Sequence, residues 1–153
     1  MKEIKPDIIY ARLKGFGTSG PWSDYKCYDM VAQAAAGAFS LTGESDGPPM
    51  RPGATIGDSG TGTQLAMAIL AAYVQKLKTG EGQQVELSMQ EAVTYYMRTM
   101  MSYAKGGERV VPRNGNGEDA LSTMYACAPG GSNDFVFLMA ITPRTVSYTH
   151  LTL

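Results

Sequence analysis

The sequence predicts an α/β fold, because short β-branched runs alternate with longer segments of helical period, and glycine or proline punctuates the junctions. Residues 7–13 (DIIYARL), with Pro6 before them and Gly15 after, read as a buried strand. Residues 15–21 (GFGTSGP) form a loop by their breakers, and residues 28–39 (YDMVAQAAAGAF) a small-residue helix whose alanines permit close packing. Residues 42–53 (TGESDGPPMRPG), with three prolines and three glycines, are a loop. A helix is predicted over 61–78, with Leu65, Ile69, Ala72 and Leu77 on one face and Lys76, Lys78 and Gly80 as its C-terminal signal. Residues 84–88 (QVELS) alternate as a strand does, 90–103 form a second helix rich in Met and Tyr, 106–122 are a polar connection, and 134–141 (DFVFLMAI) are a final strand. So few strands make an incomplete sheet, and the chain opens in the middle of an α/β pattern, which points to further strands upstream.

Composition narrows the function classes. With 153 residues, 44% hydrophobic and 18% charged, the chain has the makeup of one globular domain or part of one. A net charge of −1 offers no attraction for nucleic acid. The opening MKEIKPDIIY lacks a basic-then-apolar leader pattern, and the apolar stretch around 65–74 is too short to span a bilayer. Cys27 and Cys127 are not at metal-ligand spacing. These features lead us to expect a soluble, cytoplasmic protein without a membrane or metal partner. The last eight residues, 146–153 (VSYTHLTL), resemble the translated read-through of a sequencing adaptor and are set apart from the fold; they contain His150, the only histidine.

The segment richest in chemistry is GDSGTG at 57–62. Asp58 lies in a glycine-flanked turn just before a helix, where amide groups and the helix dipole favour a negative charge. An ionised, exposed carboxylate suits a nucleophile, and neighbouring glycines leave room for a bulky substrate. On the residues alone, an N-cap is the more economical account of Asp58. GDSGTG lacks the Lys-Ser/Thr ending of a phosphate-binding P-loop.

The surrounding motifs change that balance. IIYARLKGFGTSGPW, YDMVAQAAAGAFSLTGESDGPPMRPG, IGDSGTG and LAAYVQKLKTGEGQQVELSMQEAV, in that order, resemble family III CoA-transferases, and the likeness returns around 128–134 (APGGSND). The resemblance implies the C-terminal part of a Rossmann-type large domain, truncated, with residues 1–105 in that domain, 106–133 a connection and 134–145 the start of the next segment. It further implies an interlocked homodimer that moves coenzyme A from an acyl-CoA thioester to a small carboxylic acid, with Asp58 as the covalent nucleophile. Lys26, Tyr28 and Asp29 match the segment that lines the CoA site, with Asp29 placed to hydrogen-bond near the active carboxylate, and Met89 and Gln90 match a position facing the active site. Gly15, Phe16 and Gly17 form the loop after the first strand, which in an open α/β sheet borders the ligand crevice, and Gly57 flanks the nucleophile as a further candidate for the CoA site.

The residues themselves offer plainer accounts: Lys26 as a surface lysine, Tyr28 and Met89 as core, Asp29 as a helix cap, and the glycine loop as a tight turn. Racemases of the same family place a histidine where this chain has Tyr28, and tyrosine is a poor base near neutral pH. The expected activity is therefore transfer, with racemisation as the alternative and an inactive fragment as the third reading. Asn114–Gly117 is a loose candidate for a glycine-rich lid.

Overall fold

The computed structural model describes residues 3–117, 120–140, 142 and 144. It is an α/β arrangement of four strands and five α-helices among the described residues. Strand β1 (Tyr10–Lys14) pairs in parallel with β2 (Gln84–Ser88), in a register that sets Tyr10 opposite Gln84 and Lys14 opposite Ser88. The crossover between them carries α1 (Asp29–Ala35), α2 (Ala38–Leu41), a single π turn (Ile56–Gly60) and the long helix α3 (Thr61–Thr79). Helix α3 packs against both strands, as a βαβ unit requires.

Helix α4 (Met89–Tyr96) starts on the residue after β2 and is capped by Ser88, whose side chain accepts from the Glu91 N–H. It packs on α1 and on the π turn. The buried cluster at this junction is built from small and flexible side chains: Ala32, Ala38, Met89 and Val93, with Cys27, Ala36, Ile56 and Met97 against it. Short α5 (Arg98–Ser102) leads to the connection, and β3 (Ser122–Ala126) pairs antiparallel with β4 (Phe135–Met139) as a separate hairpin. Arg113 fastens the connection to α2 and the loop after it, donating to the carbonyls of Ser40, Glu44 and Gly47.

Several elements differ from the sequence expectation. The first strand begins at Tyr10 rather than residue 7, because the Ile8 N–H turns back to the Lys5 carbonyl and Asp7 pairs with Lys76 on α3. It is also not buried: Leu13 and Tyr10 are exposed. The helix expected over 28–39 is two, because Gly37 adopts a left-handed φ of 93° that a helix interior does not accommodate. The helix expected over 90–103 begins at Met89 and breaks at Met97, whose ψ of 5° leaves the helical range. Within α3, Ala72 is buried, whereas Leu77 is 69% exposed and does not belong to the packed face. Strand β3 carries no alternating apolar signal in its sequence (STMYA) and is held by its pairing with β4. Residues 146–153, with His150, lie outside the described residues, as does Ile141 at the end of the expected final strand. No helix among the described residues is long and apolar enough to cross a membrane.

Candidate active site

Asp58 stands in the π turn that runs directly into α3, so it lies inside the helical run rather than capping it. Its side chain is exposed, while Gly57 beside it is buried. The first turn of a helix leaves backbone N–H groups without intrahelical acceptors. Here the Asp58 N–H donates to the Asp29 carboxylate, Oδ1, at 3.1 Å. Asp29 is the first residue of α1 and only 7% exposed. Its other oxygen, Oδ2, accepts from Gln33 Nε2 at 2.8 Å, one helical turn further along. The same Gln33 nitrogen donates to the Ala54 carbonyl, just ahead of the π turn, at 2.9 Å.

Other elements complete the anchorage. Thr61 Oγ1 donates to the Gly57 carbonyl, the Tyr96 hydroxyl of α4 donates to the Gly60 carbonyl at 2.9 Å, and the Thr55 and Ser59 hydroxyls share a hydrogen bond at 3.0 Å. The backbone around Asp58 is thus tied to α1, α3 and α4, while its carboxylate faces outward. A rigidly held, solvent-facing carboxylate at a helix start can attack an electrophile without first breaking a salt bridge.

Gly57 and Gly60 take part in this anchorage. A Cβ on Gly57 would lie 2.8 Å from the Asp29 carbonyl oxygen and 2.9 Å from its Oδ1, so the missing side chain makes room for Asp29. A Cβ on Gly60 would lie 2.6 Å from the Tyr96 ring. Gly15 plays the same part at the end of β1: a Cβ there would sit 2.0 Å from Cys27 Cβ. The Gly15 carbonyl accepts from the Gln90 N–H at 3.0 Å and from Ser88 Oγ at 3.2 Å, which joins the loop to the start of α4.

Of the residues singled out from the sequence, the structure brings Asp29, Gly57 and Asp58 into direct contact. Tyr28 is the residue before α1 and is 76% exposed. Lys26 is exposed on the same short approach to α1. Cys27 between them is half-buried; burial first, and the nearby Asp58 charge second, push its thiol above the ordinary value. Met89 is 6% exposed and packs in the buried cluster with Ala32, Ala38 and Val93. Gln90 reaches the Ala35 carbonyl and is likewise structural.

Phe16 stacks edge-on against Trp22 at 5.4 Å, and Gly17 has a φ of 81°. Both line a recess of about 190 Å³ with Thr18, Ser19, Glu86, Leu87, Ser88 and Glu91, a set that does not include the Asp58 turn. Residues 114–117 border a larger recess of about 500 Å³ with Leu41, Met100, Met124 and Phe137. Among the described residues no cluster of three or more His, Cys, Asp or Glu side chains is placed to hold a metal ion. Gln33, Thr61 and Tyr96 were not singled out from the sequence. The i, i+4 spacing of Asp29 and Gln33 is a local signal that could have found Gln33.

Comparison with known proteins shows the family. The chain matches the model of CoA-transferase family III over residues 1–149. It is 43% identical to the formyl-CoA:oxalate CoA-transferases of Streptomyces avermitilis and Streptomyces coelicolor, over 91% of this chain and 37% of each relative. It therefore spans a little over a third of the length of these curated relatives. It is also 46% identical to the formyl-CoA:oxalate CoA-transferase of Escherichia coli, over 66% of this chain and 24% of that protein. Among solved structures, a CAIB/BAIF family protein from Brucella suis superposes with a TM-score of 0.77 at 27% identity, covering 84% of this chain and 35% of that one. A hypothetical protein from Mycobacterium tuberculosis shares the fold, with a TM-score of 0.78 at 21% identity, over 98% of this chain and 38% of that one. With a family match over nearly its whole length, and an exposed aspartate anchored at the start of its longest helix, the chain belongs to CoA-transferase family III.

Proposed function

We propose that this chain is the nucleophile-bearing part of an acyl-CoA:carboxylate CoA-transferase, and that Asp58 carries the acyl group and then CoA. The observation that carries this reading is Asp58 itself: an exposed carboxylate on a backbone held by the buried Asp29. The names of the curated relatives, which specify formyl-CoA and oxalate, support small carboxylic acids as the substrate class.

In the proposed sequence, an Asp58 oxygen attacks the thioester carbonyl of the donor. The C–S bond breaks, CoA leaves as the thiolate, and an acyl-aspartyl anhydride remains. The thiolate then attacks the aspartyl carbonyl of that anhydride, which releases the donor acid as its carboxylate and leaves an aspartyl-CoA thioester. The acceptor carboxylate attacks this thioester and expels CoA again, forming a second anhydride. CoA attacks the acceptor's acyl carbonyl, giving the new acyl-CoA and restoring the Asp58 carboxylate. The covalent route splits one difficult exchange into easier steps.

Lys26, exposed ahead of α1, is suited to the phosphates or other polar groups of CoA. The exposed Tyr28 ring is suited to packing on the pantetheine arm or to donating its hydroxyl near the thioester. Gly15 and Gly57 act by close packing, and Phe16 and Gly17 shape the neighbouring loop. The active species in this reading is an interlocked homodimer of the full-length enzyme, working in the cytoplasm, where the thiols of Cys27 and Cys127 remain reduced.

The test is a transfer assay on the full-length enzyme with formyl-CoA as donor and oxalate as acceptor. Asp58→Ala and Asp58→Asn are expected to lower kcat by roughly 10³-fold or more. Retention of full activity in either variant overturns the proposal.

A further inference from the structure

We infer that Gln33 is a positioning residue for the nucleophile, acting through Asp29. The inference rests on the reading of Asp58 as the nucleophile and adds the residues that hold it in line. Gln33 is fully buried, and its Nε2 reaches two acceptors at once: Asp29 Oδ2 at 2.8 Å and the Ala54 carbonyl at 2.9 Å. Both partners are acceptors, so chemistry alone fixes which end of the amide faces them. The opposite atom, Oε1, is buried without a partner among the described residues. A side chain chosen for packing alone would be apolar here. The amide is explained by what its nitrogen holds.

That nitrogen holds both ends of the approach to Asp58. Through Ala54 it fixes the chain four residues before the nucleophile, where the loop enters the π turn. Through Asp29 it fixes the carboxylate that accepts the Asp58 N–H at 3.1 Å. Asp29 lies close against the turn, since a Cβ on Gly57 would collide with its backbone and with Oδ1. Gln33, Asp29 and the Asp58 amide are therefore a relay of hydrogen bonds in which the buried end sets the direction of the exposed carboxylate. Neither Gln33 nor Asp29 needs to touch substrate. Their contribution is the angle of attack of Asp58 on the thioester, where a displacement of about 1 Å costs about 10²-fold in rate.

The experiment is single-turnover acylation of the full-length enzyme by acyl-CoA, which reads the amplitude and the rate of Asp58 adduct formation separately. Gln33→Met keeps the volume and removes the donor. It is expected to slow acylation about 10²-fold with an unchanged amplitude and a KM for acyl-CoA within about threefold of the parent. Asp29→Asn keeps an oxygen for the Asp58 N–H but turns a donor nitrogen toward Gln33 Nε2, so it is expected to slow acylation about as much as Gln33→Met, whereas Asp29→Ala, which also removes the acceptor of the Asp58 N–H, is expected to be slower still. A purely structural role predicts the opposite pattern, a smaller amplitude at an unchanged rate, and that result overturns the relay. So does parental kinetics in Gln33→Met. If Gln33→Met does not fold, the contrast between Asp29→Asn and Asp29→Ala decides, and equal rates in those two overturn the relay. Absence of an Asp58 adduct in the unsubstituted enzyme removes the nucleophile assignment, and the relay with it.

Discussion

Gly57→Ala is the sharpest single perturbation of this site. The added methyl carbon would lie 2.8 Å from the Asp29 carbonyl oxygen, 2.9 Å from Oδ1 and 3.0 Å from Cα, and two of these three atoms are backbone that cannot swing aside. Relief requires moving the π turn away from α1, which stretches the 3.1 Å bond from the Asp58 N–H to Asp29. A hydrogen bond to a charged acceptor contributes about 1.5–3 kcal/mol, and overpacking costs about 1–3 kcal/mol. Because one displacement relieves the clash by breaking the bond, the two do not add fully, and a loss of about 2–4 kcal/mol is expected. That is a large share of a typical domain stability of about 5–15 kcal/mol. The assay is urea unfolding of the full-length enzyme, where a lower midpoint at an unchanged slope reports the loss. Gly62→Ala is the control: nothing lies within 4 Å of its added carbon, and it sits early in α3. Alanine there is expected to stabilise by about 0.5–1 kcal/mol. If Gly57→Ala unfolds within about 0.5 kcal/mol of the parent, the close packing of the turn on Asp29 is wrong.

Three further outcomes follow from the same geometry. Because burial and then the Asp58 charge raise the Cys27 thiol, the folded state holds that proton more tightly than the unfolded chain does. Its contribution to stability is full below the unfolded thiol pKa of about 8.5 and is lost as pH rises through the higher folded value. Asp58→Asn should therefore speed alkylation of Cys27 at mildly alkaline pH but not well above the thiol pKa; equal rates in parent and variant at every pH contradict the proximity of the two groups. With an exposed Tyr28 beside Asp29, incubation of a chiral 2-methylacyl-CoA in deuterated water should show no rapid α-proton exchange in the absence of an acceptor acid, and rapid exchange would identify a racemase. The isolated polypeptides 1–145 and 1–153 are expected to lack both a cooperative thermal transition and CoA binding. Helix α3 exposes Met67, Leu70, Tyr73, Val74 and Leu77, and β4 exposes Phe135, Val136 and Phe137, so much apolar surface has no cover. A cooperative monomeric transition with micromolar CoA binding by calorimetry would show the segment to be self-sufficient.

The elements that local chemistry dictates were legible in the sequence. QVELS alternates and is β2 over the expected residues; α3 runs one residue past its expected end to the Gly80 cap. Elements that depend on distant partners were not. STMYA becomes β3 only because 135–139 lie beside it, and Met97 ends α4 without any breaker in the sequence. The split at Gly37 had a local cause, but an alanine-rich run with one glycine reads as a continuous helix until its φ is known. At the site, GDSGTG pointed to Asp58, and the order of surrounding motifs lent that residue its role. The motif match also singled out Asp29, 29 residues earlier, as a hydrogen-bonding neighbour; that it accepts the Asp58 backbone N–H is a contact no sequence pattern encodes. The close fit of Gly57 against Asp29, and the packing of Met89 with Val93 of its own helix against Ala32 and Ala38, are contacts that a sequence does not display.

The most direct test of the central claim is to map the covalent intermediate. The full-length enzyme is incubated with acyl-CoA and quenched with hydroxylamine, which converts an activated aspartyl carbonyl to a stable hydroxamate, and the digest is sequenced by mass spectrometry. The hydroxamate is predicted on Asp58, in the peptide that contains IGDSGTG, only when acyl-CoA is present, and never in Asp58→Asn. A hydroxamate on any other carboxylate, with Asp58 unmodified under turnover, would contradict the account.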